Sequence, residues 1–167
     1  MLNFDKFGRY LSNMSFREAV WLFPLAYTLH VAEEWPQFPN WAARYASPQF
    51  TRRDYLIVHL AGIVVAFLSP VLLRLSSNRV IVFAFFAFVF TPAVFFNVFF
   101  HAGATAAYGA YSPGLLTALA VYPPLFLFIS RRARREGLLS DRQGAAAFVI
   151  AGAFHAADVA HNVFRLL

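Results

Sequence analysis

The sequence predicts an all-α integral membrane protein, a bundle of about five transmembrane helices with a short interfacial helix after the first. Three observations carry this. Hydrophobic residues make up 60% of the 167-residue chain and charged residues only 13%, against about 25% in an average soluble domain. Twenty-one phenylalanines exceed what so few polar side chains could cover in water. The apolar residues also fall into runs near the ~20-residue length that crosses a bilayer.

The spans are expected at about 17–36, 55–74, 79–102, 114–130 and 144–165, in a single transmembrane domain covering residues 1–167. The third, VIVFAFFAFVFTPAVFFNVFF, is the most apolar; the fifth is alanine-rich and holds His155, Asp158 and His161. Pro70, Pro92, Pro123 and Pro124 fall within spans and should kink them. Between the first two spans, QFPNWAARYASPQFTRRD carries Trp41 and Tyr45, suited to a short helix at the headgroup level, with Arg52 and Arg53 as headgroup anchors. The first fifteen residues hold Asp5, Lys6 and Arg9 without a leader-peptide cleavage pattern, so the first span is expected to be retained.

Charge orients this arrangement. With five spans, Lys6, Arg9, Arg17, Arg74, Arg79, Arg131, Arg132, Arg134, Arg135 and Arg142 share one side, and Arg44, Arg52, Arg53 and Arg165 the other. The positive-inside rule then gives a cytoplasmic N-terminus and an outward C-terminus in the cytoplasmic (inner) membrane. The net charge of +6 is thus a membrane signature rather than a nucleic-acid one. With no cysteine, disulfides and thiolate ligands are excluded.

The polar residues within the spans carry the functional signal. On this topology His30, Glu33, Glu34, His59, Asn97, His101, His155, Asp158, His161 and Asn162 all fall between mid-membrane and the outer side. Helical spacing groups them further. His30, Glu33 and Glu34 share an arc, Asn97 and His101 are i,i+4 neighbours, and Asp158 has i,i+3 spacing to His155 and His161. Ionisable groups inside a membrane cost several kcal/mol unless paired or coordinated, so they mark function by default. Imidazole and carboxylate without thiol suit iron, zinc or manganese. His30, Glu33, Glu34, His101, His155, Asp158 and His161 are the candidate ligands, and their surplus over a four-ligand site favours two ions over one. Glu33, Glu34 and Asn97 are the candidate catalytic groups. His59 reads as a single histidine near an interface, Tyr108 and Tyr111 as interface anchors, and Tyr111-Ser-Pro-Gly as a turn.

His30-Val-Ala-Glu33-Glu34, then Asn97-Val-Phe-Phe-His101, then Tyr111-Ser-Pro113-Gly114-Leu-Leu-Thr117-Ala118 resemble, in this order, the motifs of the HXXEE-domain family. The resemblance runs over about residues 20–165. It implies a multi-span bacterial protein of mostly unassigned function with a suspected catalytic metal site, and His30, Glu33, Glu34, Asn97 and His101 as core site residues. His155, Asp158 and His161 rest on the depth argument. The expected function is a membrane-embedded metal-dependent enzyme acting on a lipid or other hydrophobic substrate by oxidation or hydrolysis. Two alternatives are a metal-free intramembrane acid–base isomerase of the sterol-isomerase type, and an ion- or proton-coupled transporter or sensor.

Overall fold

The structure, a computed structural model, describes residues 12–76 and 78–166; Asp5, Lys6 and Arg9 lie outside them. The chain is all-helical over the described residues. Helix α1 (Phe16–Ala19) is closed by a capping box between Ser15 and Glu18. Helix α2 (Leu22–Glu34) follows after a break in which Trp21 and Phe23 donate three residues back, to Glu18 and Val20. Pro24, in the first turn of α2, needs no backbone donor there. Helix α3 (Phe38–Tyr45) is the expected short helix after the first span. Helix α4 (Arg52–Leu75) starts on a Thr51/Asp54 capping box. Helix α5 runs without interruption over Arg79–Tyr108 and stops at Gly109, whose φ of +61° is the left-handed turn that ends many helices. After a loop come α6 (Leu115–Ala120), α7 (Tyr122–Arg135) and α8 (Asp141–Asn162).

Among the described residues, three helices are long and apolar enough to cross a membrane: α4, α5 and α8. These match the second, third and fifth expected spans. The count of five is not reached. The first expected span, 17–36, is divided into α1 and α2, and the fourth, 114–130, into α6 and α7. Pro24 and the Pro123–Pro124 pair explain both breaks, because a proline ring removes a donor and crowds the preceding turn.

Helix α5 answers its proline differently. From Phe86 to Phe96 it widens to π-type hydrogen bonding, with Asn97 N–H donating to the carbonyl of Pro92. Such a stretch accommodates the missing amide of Pro92 and rotates everything beyond it relative to an uninterrupted α-helix. Asn97 and His101 lie just past this segment.

Phe16, Phe23, Phe85, Phe86 and Phe90 fill the core where α1, α2 and α5 meet, with Tyr122 and Ile129 of α7. Phe23 meets Phe90 edge-on at 5.4 Å between ring centres. Helix α8 lies closely along the π segment: a Cβ on Gly152 would come within 3.0 Å of Phe96. A second cluster, Phe38, Trp41, Phe50 and Tyr55, packs α3 over the start of α4. At the opposite end Phe16 N–H donates to Glu136 at 2.5 Å and Arg79 lies beside Gly137. This end therefore gathers Arg74, Arg79, Arg131 and their neighbours.

Candidate metal centre

Helix α2 ends on the HVAEE run, and its last two carboxylates diverge. Glu34 is 2% exposed and points into the molecule. Its Oε1 lies 3.5 Å from His30 Nε2 and 3.3 Å from His101 Nε2, and its Oε2 lies 2.9 Å from His59 Nε2. Tyr55 OH donates to the same Oε2 at 3.1 Å. Three imidazoles from three helices thus surround one carboxylate.

Each imidazole is held by its other nitrogen. His30 Nδ1 is 2.7 Å from Thr117 Oγ1. The Thr117 hydroxyl donates to Gly114 O at 3.2 Å, so it accepts from His30 Nδ1–H, and His30 Nε2 is left as a lone pair when the ring is neutral. His101 Nδ1 is 2.9 Å from Ser112 Oγ. His59 Nδ1 donates to its own helix, at Tyr55 O, 2.9 Å away, and the His59 ring stacks on Tyr55 at 3.9 Å.

His30 and His101 are 1% and 0% exposed, yet neither Nε2 has a hydrogen-bond partner. Each instead contacts Glu34 Oε1, at 3.5 and 3.3 Å, without hydrogen-bond geometry, so two buried imidazole nitrogens converge on one carboxylate oxygen. Among the described residues, His30, Glu34 and His101 are a cluster whose donor atoms all lie within 4.8 Å of one another. Tetrahedral ligands on bonds of about 2.0–2.1 Å sit about 3.3–3.4 Å apart. The 3.3 and 3.5 Å separations fit that spacing. The donor set, two neutral imidazoles and a carboxylate with no thiolate, suits zinc or non-haem iron.

Glu33 does something else. Its Oε1 accepts from Gly114 N–H at 3.2 Å, from Leu116 N–H at 3.1 Å and from Tyr111 OH, and its Oε2 accepts from Thr117 N–H at 2.7 Å. The carboxylate closes the start of α6 and fastens the 111–117 loop to α2. Burial and the adjacent Glu33 carboxylate raise the Tyr111 hydroxyl above the usual tyrosine range, keeping it a donor. Gly114 is required here: its φ is +99°, and a Cβ would meet His101 Cε1 and His30 Cε1 at 2.7 Å and Glu34 Cγ at 2.9 Å. Tyr111-Ser-Pro-Gly is therefore more than the turn it reads as. With Thr117 just beyond it, this stretch forms the wall that fixes the His30 and His101 imidazoles.

The remaining candidates lie on α5 and α8. A cavity of about 290 Å³ is lined by His30, Glu34 and His59 and also by Asn97, His155 and Asp158. Asp158 accepts from Asn162 Nδ2 at 2.7 Å. His161 is exposed and does not line the cavity. The geometry thus brings His30, Glu34 and His101 together, and places Asn97, His155 and Asp158 across a shared cavity. It directs Glu33 to the loop and His161 outward. His59 and Tyr55, the one read as an isolated histidine and the other not singled out, stand beside Glu34. Their i,i+4 spacing in the first turns of α4 is the available signal.

An all-helical fold with three apolar, membrane-length helices and a buried His/Glu cluster defines the class. The chain belongs to the family described as protein of unknown function with HXXEE motif, whose model matches residues 21–129, more than half of the chain. The match contains His30, Glu33, Glu34, His59, Asn97, His101 and the 111–118 motif, and ends before α8. No curated protein and no solved structure matches the chain.

Proposed function

We propose that the chain is an integral membrane protein, a metal-dependent enzyme that holds one transition-metal ion at His30, Glu34 and His101 and acts on a hydrophobic substrate. The observation that carries this is the pair of buried, unpartnered Nε2 atoms facing Glu34 Oε1. The donor count favours one ion over the two that the ligand surplus in the sequence favours, since Glu33 is engaged with the loop. Bound zinc would supply an activated water for hydrolysis and bound iron an oxidising centre. The chain's own residues orient the site: Thr117 and Ser112 fix the imidazoles, and Tyr55 and His59 fix the second oxygen of Glu34, with His59 Nε2 placed to hold a proton beside it.

The substrate class follows from the cavity's mouth. Val58, Val65, Phe88 and Phe154 line the cavity yet are 36%, 44%, 49% and 45% exposed. Apolar side chains exposed at a cavity mouth on membrane-length helices fit entry from the lipid phase. In this reading the divided pairs α1/α2 and α6/α7 complete the bundle as broken spans, and the basic end is cytoplasmic, which places the site toward the outer face.

Metal analysis of detergent-purified protein tests the proposal. About one equivalent of zinc or iron is expected, removable by chelation and lost in His30→Ala and His101→Ala. Wild-type protein that retains less than about a third of an equivalent after loading with either metal overturns it. Chelator-resistant turnover by metal-free protein would favour acid–base chemistry at Glu34, His59 and Tyr55 instead.

A further inference from the structure

Across the cavity from Glu34, α5 and α8 present polar atoms that the metal site does not use. Asn97 Oδ1 and His155 Nε2 are buried without a hydrogen-bond partner, and both residues line the cavity with Asp158. Asp158 is already oriented, its Oδ1 accepting from Asn162. Unpaired buried groups of this kind are what a site built for a hydrogen-bonding ligand shows before the ligand arrives.

We infer that Asn97, His155 and Asp158 form a subsite for a hydroxyl group of an amphiphilic substrate whose chain lies against the apolar lining of the same cavity. The inference rests on the proposed function for the placement of chemistry at Glu34, and specifies the substrate's polar handle. The ligand must donate, because a carboxylate at Asp158 only accepts. The orphaned Asn97 Oδ1 is a second acceptor for such a donor, while His155, in the tautomer protonated at Nε2, offers the one N–H that the ligand's own oxygen can accept. A hydroxyl does both. A carboxylate or phosphate head at this subsite would meet the Asp158 carboxylate, with no Lys or Arg among the residues lining the cavity to offset the like charge. Around the polar atoms, Phe23, Val65, Phe88, Val89 and Pro92 supply the apolar wall. At about 290 Å³ the cavity lies at the small end of ligand sites, enough for a head and the first part of a chain.

The test uses full-length detergent-purified protein and three photoreactive probes: decanol with a mid-chain diazirine, its methyl ether, and the corresponding decylamine. Labelled peptides are mapped by mass spectrometry, and metal content is measured on the same samples. The decanol probe should label the α5 and α8 peptides lining the cavity about tenfold more than its ether, the scale of one buried hydrogen bond to a charged group. Asp158→Asn and Asn97→Leu should each reduce decanol labelling toward the level of the ether while leaving metal content and ether labelling unchanged. Equal labelling by decanol and ether, stronger labelling by decylamine, or no effect of either substitution overturns the subsite. Loss of metal in Asn97→Leu also overturns it, by making Asn97 part of the metal site. If wild-type protein holds no metal but selects decanol over its ether, the subsite stands and the proposed metal site falls.

Discussion

At the scale of single residues, the two adjacent glutamates of the HXXEE run divide the work. Glu34 faces three imidazoles, whereas Glu33 holds the loop that positions two of them. Replacing either should therefore give a distinct signature. Glu34→Gln should abolish metal binding with little change in thermal stability. Glu33→Gln should lower both, since three backbone amides lose a charged acceptor; equal losses of stability in the two variants would contradict this division. The Thr117 hydroxyl sets the tautomer of His30, so Thr117→Val should weaken metal binding about 10- to 100-fold, the usual effect of removing a ligand's supporting hydrogen bond. Chelator competition reads that change directly, and an unaltered affinity would show that His30 does not bind the ion. The motif HVAEE made both acids visible as candidates, but spacing alone did not assign them. They point about 100° apart on α2, and besides the Tyr111 hydroxyl the groups that capture Glu33 are the backbone amides of Gly114, Leu116 and Thr117, which no residue type announces. Gly114 was legible only as a turn former, because its contact with His30 and His101 depends on how the loop returns to α2.

At the scale of elements, α5 shows how one proline sets the site. Its π segment, Phe86–Phe96, ends where Asn97 begins. Asn97 and His101 both lie in the regular α-helix beyond it and keep the i,i+4 spacing read from the sequence, Asn97 lining the cavity and His101 against Glu34 and Ser112; the π segment sets the direction in which that face points. Pro92→Ala restores the missing amide and allows the segment to return to α-helical bonding, which turns the residues beyond it by about 100° for one residue's change of register. Metal affinity is expected to fall by about 10- to 100-fold while the protein remains as thermally stable as wild type or more so. Unchanged affinity would mean that packing against α8, and not Pro92, holds the π geometry. The helices themselves were largely readable from hydropathy and proline position. Pro123 and Pro124 mark the break in the fourth span, whereas the break in the first is not legible, because a proline near a helix start, such as Pro24, and one that widens a helix, such as Pro92, look alike in sequence. His59 reads as isolated in the sequence for a related reason: it has no partner in its own helix beyond Tyr55, and Glu34 reaches it only in three dimensions.

At the scale of the whole molecule, charge and exposure are distributed in opposite senses. Arginines concentrate at the end where α1, α5 and the 136–140 loop meet, while apolar side chains lie exposed along α4 and α8. In water such a surface would drive association; in a bilayer it is solvated by lipid. The cavity opens through this apolar surface, so its mouth should sit in hydrocarbon rather than in water. The absence of cysteine makes this directly measurable with single nitroxide labels on Val65→Cys and Phe154→Cys, flanking the mouth on α4 and α8, and on Arg135→Cys at the basic end. In proteoliposomes, the two mouth positions should relax with dissolved oxygen and be shielded from a water-soluble nickel chelate, and Arg135→Cys should show the reverse. Chelate access at both mouth positions would mean that the cavity opens to water, and a hydrophobic substrate would then have no lateral route to Glu34. Shielding at the mouth together with binding of the metal ion would instead place the buried His/Glu cluster at the end of a path that begins in the membrane.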